Sequence, residues 1–342
     1  MNEPRSFFVH DVSRLAAKAR DLVKVRKAPG LPEQIHVSVT DRCTLPCRMC
    51  DIWKITPKEE LTTEEWKGVF DQIAGWAGAV GLNFAGGEPF LRKDLFELIR
   101  YASDLGFTVT SNTNATTFNE DRVRRLADSG LDILYVSMDG FTAKTHDHMR
   151  GQDGTYDKVM RTLDLVDTVG NPRVIIAMIV SRHSVSEVVQ MADWTRARNY
   201  QVVFQPLFST FGRDPDPNWF VTSPHFPTEE QWPELDGALD YLIGIKEANG
   251  HVCNSVGQLR EMKRYFRTPS VSNGLPCNAG ASDISLDPYG NLLLCFWLPP
   301  VGNVKEQPIP WMWNSAQSQR RRWEAYHCPR TCNMLNCNFE HV

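Results

Sequence analysis

No stretch of the 342 residues is long and apolar enough to cross a bilayer. The longest aliphatic run, VIIAMIV at Val174–Val180, falls far short of the roughly 20 residues a membrane helix needs and reads as a buried strand. Charge excess is missing too. Lys and Arg number 37 against 41 Asp and Glu, a net charge of −4, so neither nucleic acid nor an anionic membrane is indicated as a partner. No secretory signal is visible, and no low-complexity tract or internal repeat beyond a β/α unit. The segment RSFFVHDVSRLAAKARDLVKVRK, residues 5–27, carries acidic residues, against the pattern of a transit peptide, and reads as a basic amphipathic helix packed on the body. An even, paired cysteine set is absent as well. Nine cysteines in a chain of this length do not make a disulfide framework. Metal or cluster ligation in a reducing cytosol fits them better.

The chain alternates strand and helix. QIHVSVT, GLNFAGG, FTVTSNT, LDILYVS, RVIIAMIVS and QVVFQPLF read as strands, and amphipathic helical segments lie between them. Thr62 and Glu65 carry the spacing of a capping box at the start of the first of these helices. Six such units between residues 33 and 210 predict a parallel sheet covered by helices, with strands apolar on both faces. They are fewer than a closed eight-fold barrel needs, so an open sheet or partial (β/α)6 barrel of the TIM type is expected. Loops after the strands would gather at one mouth, where function sits in such folds. Residues 1–32 form an N-terminal extension. Residues 211–268 read as a lid-like ordered loop and two helices, 229–249 and 255–266. Residues 269–342 form a further unit that opens with a hairpin over DISLDPYGNLLLCF, turned by Asp287, Pro288 and Gly290.

Cys43, Cys47 and Cys50 stand in the pattern CxxxCxxC directly after the first strand. Pro46 favours a loop there. Three thiolates on a 4Fe–4S cluster leave one iron open, which suits a cluster that binds a reactant. Zinc with a distant fourth ligand is the plainer alternative, but zinc sites usually pair two short knuckles and no second one lies near.

CxxxCxxC after the first strand, followed by a second strand ending in Gly86-Gly87-Glu88-Pro89, resembles the radical S-adenosylmethionine (SAM) enzymes. The resemblance covers the six β/α units. It implies that the open iron is chelated by the amino and carboxylate groups of SAM. Reduction of the cluster then cleaves SAM to methionine and a 5′-deoxyadenosyl radical that abstracts a substrate hydrogen. By the same resemblance, Gly86 and Gly87 allow close backbone approach to a ligand, and Glu88 and its neighbours meet the SAM ammonium group. Pro89 alone would equally suit a plain strand-to-helix turn. Ser137 in SMDG and Arg150 in HDHMRG match the family segments that bind the SAM carboxylate, and Arg suits a planar carboxylate. Ordinary loop hydrogen bonding is the other reading of both. Thr113 and Asn114 occupy the place of a family Thr-Asn-Gly. Met49 departs from the aromatic residue common before the third cysteine, and Met also packs an adenine face.

Cys277 and Cys295 bracket Gly290 as C-x12-G-x4-C, and Cys328, Cys332 and Cys337 follow. This resembles the SPASM/twitch extension with its auxiliary clusters. Five cysteines supply one auxiliary 4Fe–4S cluster and leave one over, and the pattern does not say which of the last three that is; zinc is again the alternative. Cys253 reads as a buried, inert thiol. The resemblance implies a flavodoxin- or ferredoxin-type electron donor and a small polar substrate. Oxidation of an alcohol, as in aminocyclitol or sugar metabolism, ranks first, because an auxiliary cluster accepts the leftover electron. Ribosomal-peptide modification ranks second, since the residues before the first strand are too few for a leader-binding domain. Epimerisation, decarboxylation or dehydration of a sugar or nucleoside stays open. An iron–sulfur electron-transfer protein without SAM chemistry is the reading outside this class.

Overall fold

A computed structural model describes residues 30–209, 216, 218–274, 277 and 279–335. The amphipathic segment 5–27 and Cys337 lie outside them. Six parallel strands run β1 Gln34–Thr40, β2 Gly81–Gly86, β3 Thr108–Thr113, β4 Ile133–Ser137, β5 Arg173–Val180 and β6 Gln201–Pro206. The sheet order is β6-β5-β4-β3-β2-β1, and helices connect consecutive strands, as right-handed crossovers require. Three more strands complete the sheet: β7 Asp283–Leu286, β8 Asn291–Leu293 and β9 Gly302–Asn303. β7 joins β1 in parallel, so the C-terminal hairpin extends the barrel sheet rather than forming a sheet of its own.

The helices begin where local chemistry starts them. Thr62 and Glu65 close the anticipated capping box ahead of the helix Thr63–Ala77. Trp66, Phe70 and Ile73 on its inner face are fully buried in the core that also holds Leu82 and Phe84 of β2, with the Phe70 and Phe84 rings 5.9 Å apart. Asn119 and Ser255 cap the helices Glu120–Ala127 and Val256–Arg267 through their side-chain oxygens. One helix, Ala143–Arg150, falls where the sequence pattern gave only a loop; Thr142 caps it and Gly151 ends it in the left-handed conformation.

The strands are not apolar on both faces. β1 and β4 alternate between fully and half-buried positions. The side turned from the helices carries His36, Asn83, Thr110, Asn112 and Tyr135, aligned strand to strand by the register. Asn83 donates to Thr110 Oγ1 at 2.8 Å and to Asn112 Oδ1 at 3.4 Å. A partial barrel leaves that face uncovered by helices, so polar side chains tolerate it. Cys253 is half-buried rather than buried, because it lies beyond β6 at the sheet edge, where its N–H bonds the Val202 carbonyl.

Candidate active site

The chain leaves β1 at Thr40 and enters a loop that carries Cys43, Cys47 and Cys50. It is a loop, as Pro46 requires, and the Cys50 N–H closes a turn on the Cys47 carbonyl. The end of β2 is laced to its base: Gly87 N donates to the Thr40 carbonyl and Glu88 N to the Arg42 carbonyl, both at 2.8 Å. Gly86 takes φ +124°, and a Cβ there would lie 2.3 Å from the Thr40 carbonyl oxygen. A Cβ on Gly87 would lie 2.2 Å from the Arg42 carbonyl oxygen. These glycines therefore bring the β2 turn against the cysteine loop itself.

Glu88 is fully buried and fully engaged. Thr113 Oγ1 and Phe90 N donate to its Oε1, and Asn114 N to its Oε2, at 2.7, 3.3 and 2.7 Å. Burial outweighs these bonds and raises its carboxyl above the usual carboxylate range. Glu88 thus joins the ends of β2 and β3. With its backbone held there, Asn114 donates its side-chain Nδ2 to Thr44 Oγ1 at 3.2 Å, and that atom lies 4.0 Å from Cys43 Sγ. Pro89 begins the short 3-10 turn Pro89–Leu91. Ser137 ends β4, half-buried.

Arg150 comes from the last turn of Ala143–Arg150. Its Nη2 pairs with Asp139 Oδ2 at 2.6 Å, and its Nη1 lies 3.7 Å from Cys47 Sγ. Burial opposes its charge, but Asp139 and Cys47 outweigh that and hold it protonated. Its Nε is buried without a partner, a donor left over for a ligand. The cysteine loop leans on the same helix: Arg48 N donates to the Met149 carbonyl and Arg48 Nε to the His148 carbonyl.

None of the eight described cysteines, Cys253 among them, is in a disulfide. Burial pushes the Cys43 thiol up and that of Cys50 to about 11, with neighbouring thiols adding to both. Thiols so desolvated become thiolates when a metal takes the proton's place. This donor set, with a cationic Arg150 beside it, fits an iron–sulfur cluster carrying an anionic ligand.

The C-terminal cysteines come from separate elements. Cys277 precedes β7, Cys295 follows β8, and Cys328 follows the helix Ala316–Tyr326. Burial raises the thiols of Cys277 and Cys295, and both are raised further by Cys328. Cys332, in the turn Thr331–Met334, lies beside the buried Tyr265. The hairpin turn reaches the other site: Tyr289 Oη donates to Asp41 Oδ2 at 2.6 Å, and Leu61 N to the Pro288 carbonyl at 2.8 Å.

The radical SAM superfamily model matches residues 37–195, and the SPASM model, an iron–sulfur cluster-binding domain, matches residues 277–338. The PqqA peptide cyclase of Bradyrhizobium diazoefficiens is 30% identical over 326 residues, covering 91% of this chain and 81% of that protein. This chain belongs to the radical SAM superfamily. It is an enzyme of the SPASM-bearing type, and its cofactors are SAM and iron–sulfur clusters. An AdoMet-dependent heme synthase of Methanosarcina barkeri is 26% identical over 321 residues, covering 91% of this chain and 90% of that one. The crystal structure of Streptococcus suis SuiB bound to S-adenosylmethionine has the same fold. Its TM-score is 0.68 at 15% identity, over 94% of this chain and 75% of that one. No helix among the described residues is long and apolar enough to cross a membrane.

One cluster escaped sequence reasoning. His148, His183 and His225 follow β4, β5 and β6 in turn and meet at the mouth. Their ring centroids are 4.4 Å (148–183), 5.2 Å (183–225) and 6.0 Å (148–225) apart. They stand 35 and 42 positions apart, so no local motif joins them. Their position after consecutive barrel strands was the available signal.

Proposed function

We propose that this radical SAM enzyme modifies a peptide. The observation that carries the reading is the 30% identity with a PqqA peptide cyclase across most of both chains. It favours peptide chemistry over the alcohol oxidation that the cysteine pattern alone suggested. Exposed apolar side chains on segments flanking the site agree: Val221 after β6 is 72% exposed and Phe296 beside Cys295 is 61% exposed. Between them, Phe208 at the end of β6 meets Trp297 with ring centroids 6.3 Å apart. Such a wall suits apolar side chains of an extended substrate.

In this reading Cys43, Cys47 and Cys50 ligate the SAM-binding cluster. When bound, cluster and SAM supply a 5′-deoxyadenosyl radical that abstracts a substrate hydrogen. Arg150, through its leftover Nε, and Ser137 bind the SAM carboxylate. Glu88 acts mainly on the protein: it aims Thr113 and Asn114 at the cysteine loop. Cys277, Cys295 and Cys328 hold an auxiliary cluster, with a fourth ligand from Cys332 or Cys337. A flavodoxin- or ferredoxin-type protein delivers the electron. Residues 33–210 serve as the radical-generating barrel and 269–342 as the cluster-bearing extension.

The test is anaerobic incubation of the reconstituted enzyme with SAM, a strong reductant and candidate peptides encoded beside its gene. Mass spectrometry should show a peptide that has lost two hydrogens, with 5′-deoxyadenosine released in step. Turnover of an alcohol or a tetrapyrrole, with every peptide untouched, would overturn the reading.

A further inference from the structure

We propose that His148, His183 and His225 form a binding site for a divalent transition metal of the zinc type, separate from the cysteine sites, which fastens the segment after β6 to the barrel mouth. The three rings come from three different elements: the helix Ala143–Arg150, the loop after β5, and the stretch between Trp219–Thr222 and Glu229–Gln231. One ligand nitrogen from each lies within 4.8 Å of the others, the span of three donors around one ion. His183 Nε2 and His225 Nδ1 are 3.0 Å apart. A single shared proton accounts for that pair and leaves His148 out. His148 Nε2 is buried with no hydrogen-bond partner. A buried imidazole nitrogen without a partner is costly, and a metal ion is the partner that would serve all three rings at once.

The supports around the rings are those a metal site needs. His225 is held by its own backbone: Arg182 N donates to the His225 carbonyl at 2.7 Å, and His225 N to Ser223 Oγ at 3.3 Å. Gln231 Nε2 donates to the Arg182 carbonyl at 2.8 Å and ties the same segment down. Burial keeps the three imidazoles in the neutral form that ligates. Two cations face the rings, Arg48 and Arg182. They would repel a bare ion. They therefore select a site whose fourth position holds an anion, such as hydroxide or a carboxylate, and three histidines leave that position open. Arg48 lies between Cys47 and Met49 and donates to the His148 carbonyl, so the site stands beside the cysteine loop.

The experiment uses the anaerobically reconstituted enzyme, its cysteines occupied by iron. Dialysis against zinc, zinc counting and zinc X-ray absorption are expected to show one tightly held zinc in a nitrogen and oxygen shell at about 2.0 Å. Hydrogen exchange in residues 218–231 should slow when zinc is bound. His183→Ala and His225→Ala should each weaken zinc retention on the order of a hundredfold with iron content unchanged. Zinc in a sulfur shell, no retained zinc in the parent, or retention by both variants equal to the parent's would overturn the proposal. X-ray absorption on the parent enzyme decides the matter even if a variant misfolds. SAM cleavage, measured in parallel, reports on the cysteine site alone, so the two readings fail separately.

Discussion

The two cysteine sites of this protein are built in opposite ways. Cys43, Cys47 and Cys50 lie within eight residues of one loop, and the barrel merely presents them. Cys277, Cys295 and Cys328 are spread over 52 residues, before β7, after β8 and after the helix Ala316–Tyr326, so the proposed second site would require a hairpin, a strand pairing and a helix to form first. The first site needs the fold for its surroundings: Glu88, Asn114 and Arg150 arrive from β2, β3 and the helix after β4. The second needs the fold for its existence. Damage to the first should therefore abolish chemistry with little loss of structure, and damage to the second should do both.

The largest contrast comes from replacing whole ligand sets. Cys43→Ala with Cys47→Ala and Cys50→Ala should remove one cluster's iron and all SAM cleavage, read as 5′-deoxyadenosine by chromatography, while the thermal melt stays near that of the apo parent. Residual cleavage in the triple variant would sink the assignment. Cys277→Ala with Cys295→Ala should remove about one further four-iron share, keep substrate-free SAM cleavage and stop turnover of substrate. It should also lower the melting temperature, since metal binding here is coupled to folding. A double variant with full turnover and an unchanged melt would show that the two sites do not differ in this way.

Finer changes sharpen the comparison. Glu88→Gln places an amide NH2 group among three donors, so one of Thr113, Asn114 or Phe90 loses its acceptor. The loss should be roughly 1–3 kcal/mol in denaturant unfolding, with weaker SAM binding by calorimetry and unchanged auxiliary iron. Retained SAM affinity would mean that the Glu88 staple does not set the geometry of the cysteine loop. Tyr289→Phe removes the hydroxyl that joins the C-terminal turn to Asp41. About 1 kcal/mol of stability should go, with both iron shares retained. If iron falls at the first site alone, that bond positions the cysteine loop as well as tying the two regions.

Much of this was readable before any fold was known. The six strands and their helices followed from alternation and 3.6-residue periodicity, because each element is stabilised by its own apolar face. The capping box at Thr62 and Glu65 was readable for the same reason: its two bonds span three residues. The parallel pairing of β7 with β1 was not, since nothing in DISL says which distant edge it will join. Nor was the polar inner face of the sheet, because Asn83 and Thr110 read as interruptions until the register sets them side by side.

Sequence by itself determined the CxxxCxxC loop, the glutamate two residues beyond Gly86, and hence the class of chemistry, because those ligands and turns are local. Tertiary structure decided what Glu88 and Arg150 hold: the backbone amide of Asn114 in one case, Asp139 and the Cys47 thiol in the other. It also decided that three histidines lying after three successive strands share one small space. These groupings depend on which strand ends converge at the mouth, a property of the strand order in the whole sheet that no short stretch of chain contains.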